Sequence, residues 1–162
     1  MAMSIYLSLH AMLGLLGIGF GVAVMVRFFA GKRLNRLPAL FFAVTLMGIF
    51  TGFGFPFDRL LTTHIVGILL LLVLVVTIPA YCMFSLAAAW RRIFVVGSST
   101  VLYLNLVVLI LHLFLKFPAI RALTLTHKGT AFLIAQLIVL ALFVVFTTLA
   151  TMKFYPEQPN AV

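Results

Sequence analysis

Residues 64–82 read HIVGILLLLVLVVTIPAYC, 19 positions without a single Asp, Glu, Lys or Arg. Lipid cannot satisfy free backbone N–H and C=O groups, so a chain segment crossing a bilayer closes its own hydrogen bonds as a helix. About 20 apolar residues cover the roughly 30 Å hydrocarbon core. The run therefore predicts a transmembrane helix, and its surroundings extend the prediction. It sits inside a longer apolar stretch, 60–90, flanked by four more at 4–29, 38–57, 93–116 and 129–154. A β-barrel would show short alternating segments, whereas these runs are continuous.

The stretches leave only short connections, too little chain for a separate soluble domain. The predicted fold is all-α: one integral membrane domain over residues 1–162, a polytopic bundle of five transmembrane helices. The composition agrees, with 65% hydrophobic and 8% charged residues, far from a globular mix. Residues 1–6 carry no basic segment and the first apolar run is longer than a signal-peptide core, so a cleavable signal is not expected. The single cysteine, Cys82, excludes an internal disulfide and a paired-thiol redox mechanism within one chain.

The net charge of +9 does not indicate nucleic acid. The basic residues stand at span ends, where they reach toward headgroups and set orientation. Seven of them, Arg27, Lys32, Arg33, Arg36, Arg91, Arg92 and Lys153, fall on one side, and four, Arg59, Lys116, Arg121 and Lys128, on the other. The excess of basic residues on the cytoplasmic side then predicts the N-terminus outside and the C-terminus in the cytoplasm.

Glycine patterns predict how the first spans meet. Gly17-xxx-Gly21 in span 1 and Gly48-xxx-Gly52 in span 2 allow close helix approach near mid-membrane, either as an antiparallel hairpin or as an oligomer interface. Pro79 predicts a kink in span 3. Asp58 is expected to cap the same span, and Thr126 to cap span 5, after a short interfacial helix around residues 119–123.

Polar residues are costly in lipid and face the bundle interior. His10 shares a helix face with Gly14, Gly17 and Gly21. Ser98, Asn105 and His112 recur every seven residues in span 4, with Lys116 one turn further. His64 shares a face with Gly67, and Gln136 with Thr147. With alternating spans, His10, His64 and His112 all fall roughly 7–9 Å below the outer surface at 1.5 Å per residue, and His127 lies just above. Imidazole ligates both haem iron and metal ions. Two histidines on antiparallel spans would hold a b-type haem, with Gly67 beside His64 leaving room for the macrocycle. Three would suit copper or zinc, with Met12 as a soft ligand. A histidine beside Asn105 or Lys116 would hydrogen-bond a quinone headgroup or relay protons. Interhelical hydrogen bonding explains the same residues without any ligand.

Ser8-Leu9-His10, Thr63-His64-Ile65-Val66-Gly67, Ala89-Trp90-Arg91-Arg92-Ile93 and Tyr103-Leu104-Asn105 resemble segments of small bacterial multi-pass membrane proteins of unknown function. The resemblance implies a location in the bacterial inner membrane and carries over no catalytic residue. The sequence thus leaves three functional classes open. The first is an electron-transfer type protein with an outer-side histidine site for haem b, a metal or a quinone. The second is a non-catalytic partner subunit or assembly factor of a larger membrane complex. The third is a small oligomeric transporter or channel. The bilayer is the first partner, with other membrane subunits or a second copy of the chain as further ones. An enzyme with its own complete active site is not expected: the only acidic residues, Asp58 and Glu157, lie outside the spans.

Overall fold

The computed structural model describes residues 2–31, 34–54, 62–84, 86–87, 89–116 and 130–154. Among them are five helices and no strand: α1 (Ala2–Ala30), α2 (Leu37–Phe53), α3 (Thr62–Cys82), α4 (Ala89–Lys116) and α5 (Thr130–Lys153). Four of these are long and apolar enough to cross a membrane. The exception, α2, has 17 residues, about 26 Å of helix, near the lower limit for a span. Asp58, Thr126, His127, Arg59, Arg121, Lys128 and the 119–123 segment lie outside the described residues.

Local chemistry sets the helix ends. Gly31 has φ +60° just past α1, the left-handed position that a helix-ending glycine takes. Asn35, at φ 48°, tolerates the same region. Pro38 occupies the first turn of α2, where its missing N–H breaks no intrahelical bond. The predicted third span over 60–90 requires correction. Helix α3 stops at Cys82, and α4 begins at Ala89, four residues before the expected 93. The intervening residues are apolar, so composition conceals the break. The turn is closed by backbone bonds from Met83 and Phe84 to Pro79 O, and Leu86 adopts φ 58°. Stacked Phe84 and Trp90 rings, with centroids 3.8 Å apart, clasp it from outside.

Lipid tails are as apolar as leucine, so helices in a membrane associate through packing and not through water exclusion. The glycines therefore carry much of the fold. Up α1 and down α2, contacts recur at matched steps. A Cβ at Gly17 would lie 3.5 Å from Thr45 Oγ1, one at Gly21 would lie 2.9 Å from Phe41, and one at Gly52 would lie 3.3 Å from His10. This is an antiparallel hairpin. At Gly21 a third helix joins, with Leu102 of α4 2.7 Å from the same notional carbon. Met25 receives a weak bond from Ser99 at 3.5 Å, a second α1–α4 contact. On the far side of α4, Gly97 presses its bare backbone onto Thr77 of α3, whose hydroxyl is committed to Val73 O at 2.7 Å.

One end of the bundle is filled with aromatic rings. Phe94 is fully buried and meets Phe28 at 5.6 Å, Tyr81 at 5.5 Å, Phe42 at 6.3 Å and Phe154 at 6.5 Å between centroids. Each such pair contributes about 0.5–1.5 kcal/mol beyond area burial. Tyr81 also donates to Asn35 O at 2.7 Å, fixing α3 to the α1–α2 connection. Arg91 donates to Thr151 O and Phe154 O, gathering the unpaired carbonyls at the end of α5. Apart from Ala150 and the adjoining Phe154, residues of α5 keep exposure to the surroundings.

The glycines separate into two groups, which gives a direct test. Gly97→Ala should lower stability by about 1–3 kcal/mol, because the buried, hydrogen-bonded Thr77 cannot move aside. Gly14→Ala and Gly48→Ala meet nothing within 4 Å among the described residues, and should be neutral or stabilising by up to about 1 kcal/mol. Thermal unfolding of the purified variants in detergent measures both.

Candidate histidine site

Opposite the aromatic end, the last turn of α2 organises the polar residues. Tyr6 donates to Thr51 O at 2.6 Å. The Thr51 hydroxyl donates back along its own helix, toward Met47 O at 2.9 Å and Gly48 O at 3.0 Å. A threonine has one proton to give. Thr51 Oγ1 also shares a hydrogen bond with His10 Nδ1, 3.0 Å away. The His10 ring also bonds to the Gly48 backbone, so the last two turns of α2 hold it from two sides.

His112 is also held at Nδ1, but by its own helix. Its Nδ1 lies 2.8 Å from Val108 O, four residues back on α4. A carbonyl only accepts, so Nδ1 of His112 carries a proton. Helices α1 and α4 bring these rings near one another: His10 lies within electrostatic range of both His112 and Lys116. A neutral imidazole whose Nδ1–H is held by a fixed acceptor is the usual state of a ligating histidine, because the outer hydrogen bond sets ring orientation and raises the basicity of the other nitrogen.

His64 occupies the same end but makes a different contact. It is only 3% exposed and stacks on Phe53, centroids 5.9 Å apart and planes 17° from parallel. The space expected beside Gly67 is filled by that same ring, 3.4 Å from where a Cβ would stand. A macrocycle between α3 and α4 next to His64 does not fit this packing. Met12 is 52% exposed, on the outside of α1. Among the described residues, no group of three or more His, Cys, Asp or Glu is placed to hold a metal ion.

The polar stripe of α4 does not form a continuous path. Asn105 donates to Val101 O at 3.1 Å, folding its amide onto its own helix as His112 does. Ser98 is buried, and its Oγ has no protein partner among the described residues. Gln136 spans instead to α4, with Nε2 3.5 Å from Val107 O. Lys116 is exposed at the end of α4, one turn beyond His112. Thr51 and Tyr6, which position His10, were not distinguishable in sequence from other membrane-embedded hydroxyls, since their role depends on the α1–α2 register.

No family model matches the chain, and no curated protein or solved structure matches it. If His10 and Thr51 are coupled as described, a double-mutant cycle with His10→Ala and Thr51→Val should return a coupling of about 0.5–1.5 kcal/mol. Unfolding free energies in mixed micelles supply the four corners. Additive effects would show that the two side chains do not act together.

Proposed function

We propose that this integral membrane protein is a b-type haem carrier, with His10 and His112 as the two axial ligands. The reading places it in the bacterial inner membrane with the histidine end outward, in keeping with the seven-to-four bias of basic residues. One observation carries the assignment: His10 and His112 stand on neighbouring helices within electrostatic range of one another, each with Nδ1 hydrogen-bonded, 3.0 Å from Thr51 Oγ1 and 2.8 Å from Val108 O. Two such imidazoles on facing helices suit the two axial positions of a haem iron. A zinc or copper ion would call for a third and fourth protein ligand, and the described residues offer no such group.

In this reading each residue has a defined task. His10 and His112 would hold the iron. Thr51 and the Val108 carbonyl fix the planes of the two imidazoles, and Tyr6 steadies the backbone of Thr51. The haem would supply one-electron chemistry close to one membrane surface. His64 braces α3 against Phe53, which keeps the end of α2 in place behind His10.

The protein purified from a haem-sufficient host is expected to show a Soret band and sharpened α and β bands after dithionite, with about one haem per chain in a two-axial-ligand site. His10→Ala and His112→Ala should each lose the low-spin reduced spectrum, and His64→Ala should retain it. A colourless, monodisperse wild-type protein would overturn the assignment.

A further inference from the structure

The arginine end carries more positive charge than its own contacts neutralise. Phe28 meets Phe94 and Phe154 there, and Tyr81 reaches Asn35 O. The end of α1, the start of α2, the end of α3, the start of α4 and the end of α5 therefore share one surface. Onto it come Arg27, Arg36, Arg91, Arg92 and Lys153. None of the described residues is acidic, so no ion pair with a side-chain carboxylate forms among them. Arg91 is half-buried and donates to Thr151 O and Phe154 O, at the negative pole of α5. Arg36, Arg92 and Lys153 are exposed instead. Helices α1, α4 and α5 pack pairwise, and packed helices lie about 8–10 Å apart. That is about one Debye length at physiological salt, so cations at their ends act together on one ligand.

The same surface has an apolar shelf. Trp90 lies two residues before Arg92 and stacks on Phe84. Phe84 is still 39% exposed, and the adjoining Met83 is 74% exposed. Indole rings settle at headgroup depth, with their apolar body toward the acyl chains. An exposed cation thus stands at the level of the lipid phosphates, with open hydrocarbon surface next to it.

We propose that this surface binds phospholipid with a net negative headgroup. The phosphate lies against Arg92, with Lys153 and Arg36 adding to the field, and the acyl chains lie against Met83 and Phe84. The lipid class follows from charge. A zwitterionic headgroup brings its own ammonium group with the phosphate, and the same cations repel that ammonium. A headgroup that carries only the phosphate charge meets no such opposition. A soluble anion would find the cations but leave the apolar shelf bare. Basic residues at span ends set orientation in any bilayer. Selection among lipids is a separate consequence of leaving these cations without carboxylate partners.

Trp90 is the only tryptophan in the chain, so its emission reads the lipid beside Arg92 without background from other indoles. The full chain is reconstituted in mixtures of phosphatidylcholine and phosphatidylglycerol, with bromine on the acyl chains of one lipid or the other. Quenching is taken relative to the same mixture without bromine, which cancels any energy transfer to haem. Wild-type protein is expected to favour the anionic lipid at least about fivefold, the equivalent of about 1 kcal/mol for one cation at a charged surface. Arg92→Gln should lower that preference about fivefold, and Arg92→Lys should keep it. Lys116→Gln removes the same charge about 36 Å away along α4 and should leave the preference intact. Lys153→Gln takes the place of Arg92→Gln where the latter lowers the unfolding temperature. Equal quenching of the wild type by the two lipids, or equal losses in Arg92→Gln and Lys116→Gln, would overturn the site. None of the cations at this end belongs to the histidine site, so the haem reading stands or falls separately.

Discussion

The fold depends on one point of contact. At Gly21, backbone from α1, the ring of Phe41 from α2 and the methyls of Leu102 from α4 meet with no room for another carbon. Water does not press helices together inside a bilayer, so such points of close approach hold them in place of a hydrophobic core. The other helices can be followed from this node. Gly17 carries the α1–α2 contact toward the histidine end. Met25 and Ser99 carry the α1–α4 contact toward the aromatic end. Gly97 passes the connection from α4 to α3.

The two ends of the bundle then follow different rules. At the arginine end, large rings from α1, α2, α3, α4 and the end of α5 converge on Phe94 and leave little free volume. At the other end, side chains shorten to glycine and threonine while polar groups increase. His10 and His112 there are half-buried and held by hydrogen bonds, and His64 is buried and stacked on Phe53. The ring-packed end gives a rigid base, and the other end holds the polar groups that a ligand would meet. Binding sites in helical membrane proteins need both, since side chains hold a geometry only when their supporting helices cannot shift.

Helix number and class were legible from residues 64–82 and their neighbours because hydropathy reports the solvent directly. The glycine faces and their hairpin were legible too, from four-residue spacing. The gathering of His10, His64 and His112 at one end followed from counting residues from span ends. What each histidine touches was not legible. Helical phase shows that His64 and Gly67 share a face, but not that Phe53 fills it. Nor does spacing show that His10 meets Thr51, which depends on how α1 and α2 register. The break at residues 83–88 was missed for another reason: apolar residues make up much of the turn, and the left-handed Leu86 gives no compositional signal.

The clamp formed by Arg91 bears on how the chain is assembled. A nascent membrane protein is delivered helix by helix, and α5 is the last described. Its surface is almost wholly lipid-compatible, and toward α4 it offers the Gln136 amide and two ring contacts, Phe143 on Tyr103 and Phe132 on Phe114. Arg91 is in place before α5 emerges, at the end of the bundle where the terminal carbonyls of α5 come to rest. Those carbonyls are the strongest acceptors that α5 presents near that surface. The arginine thus holds α5 through its terminal carbonyls, a contact that any side chain at those positions would leave in place.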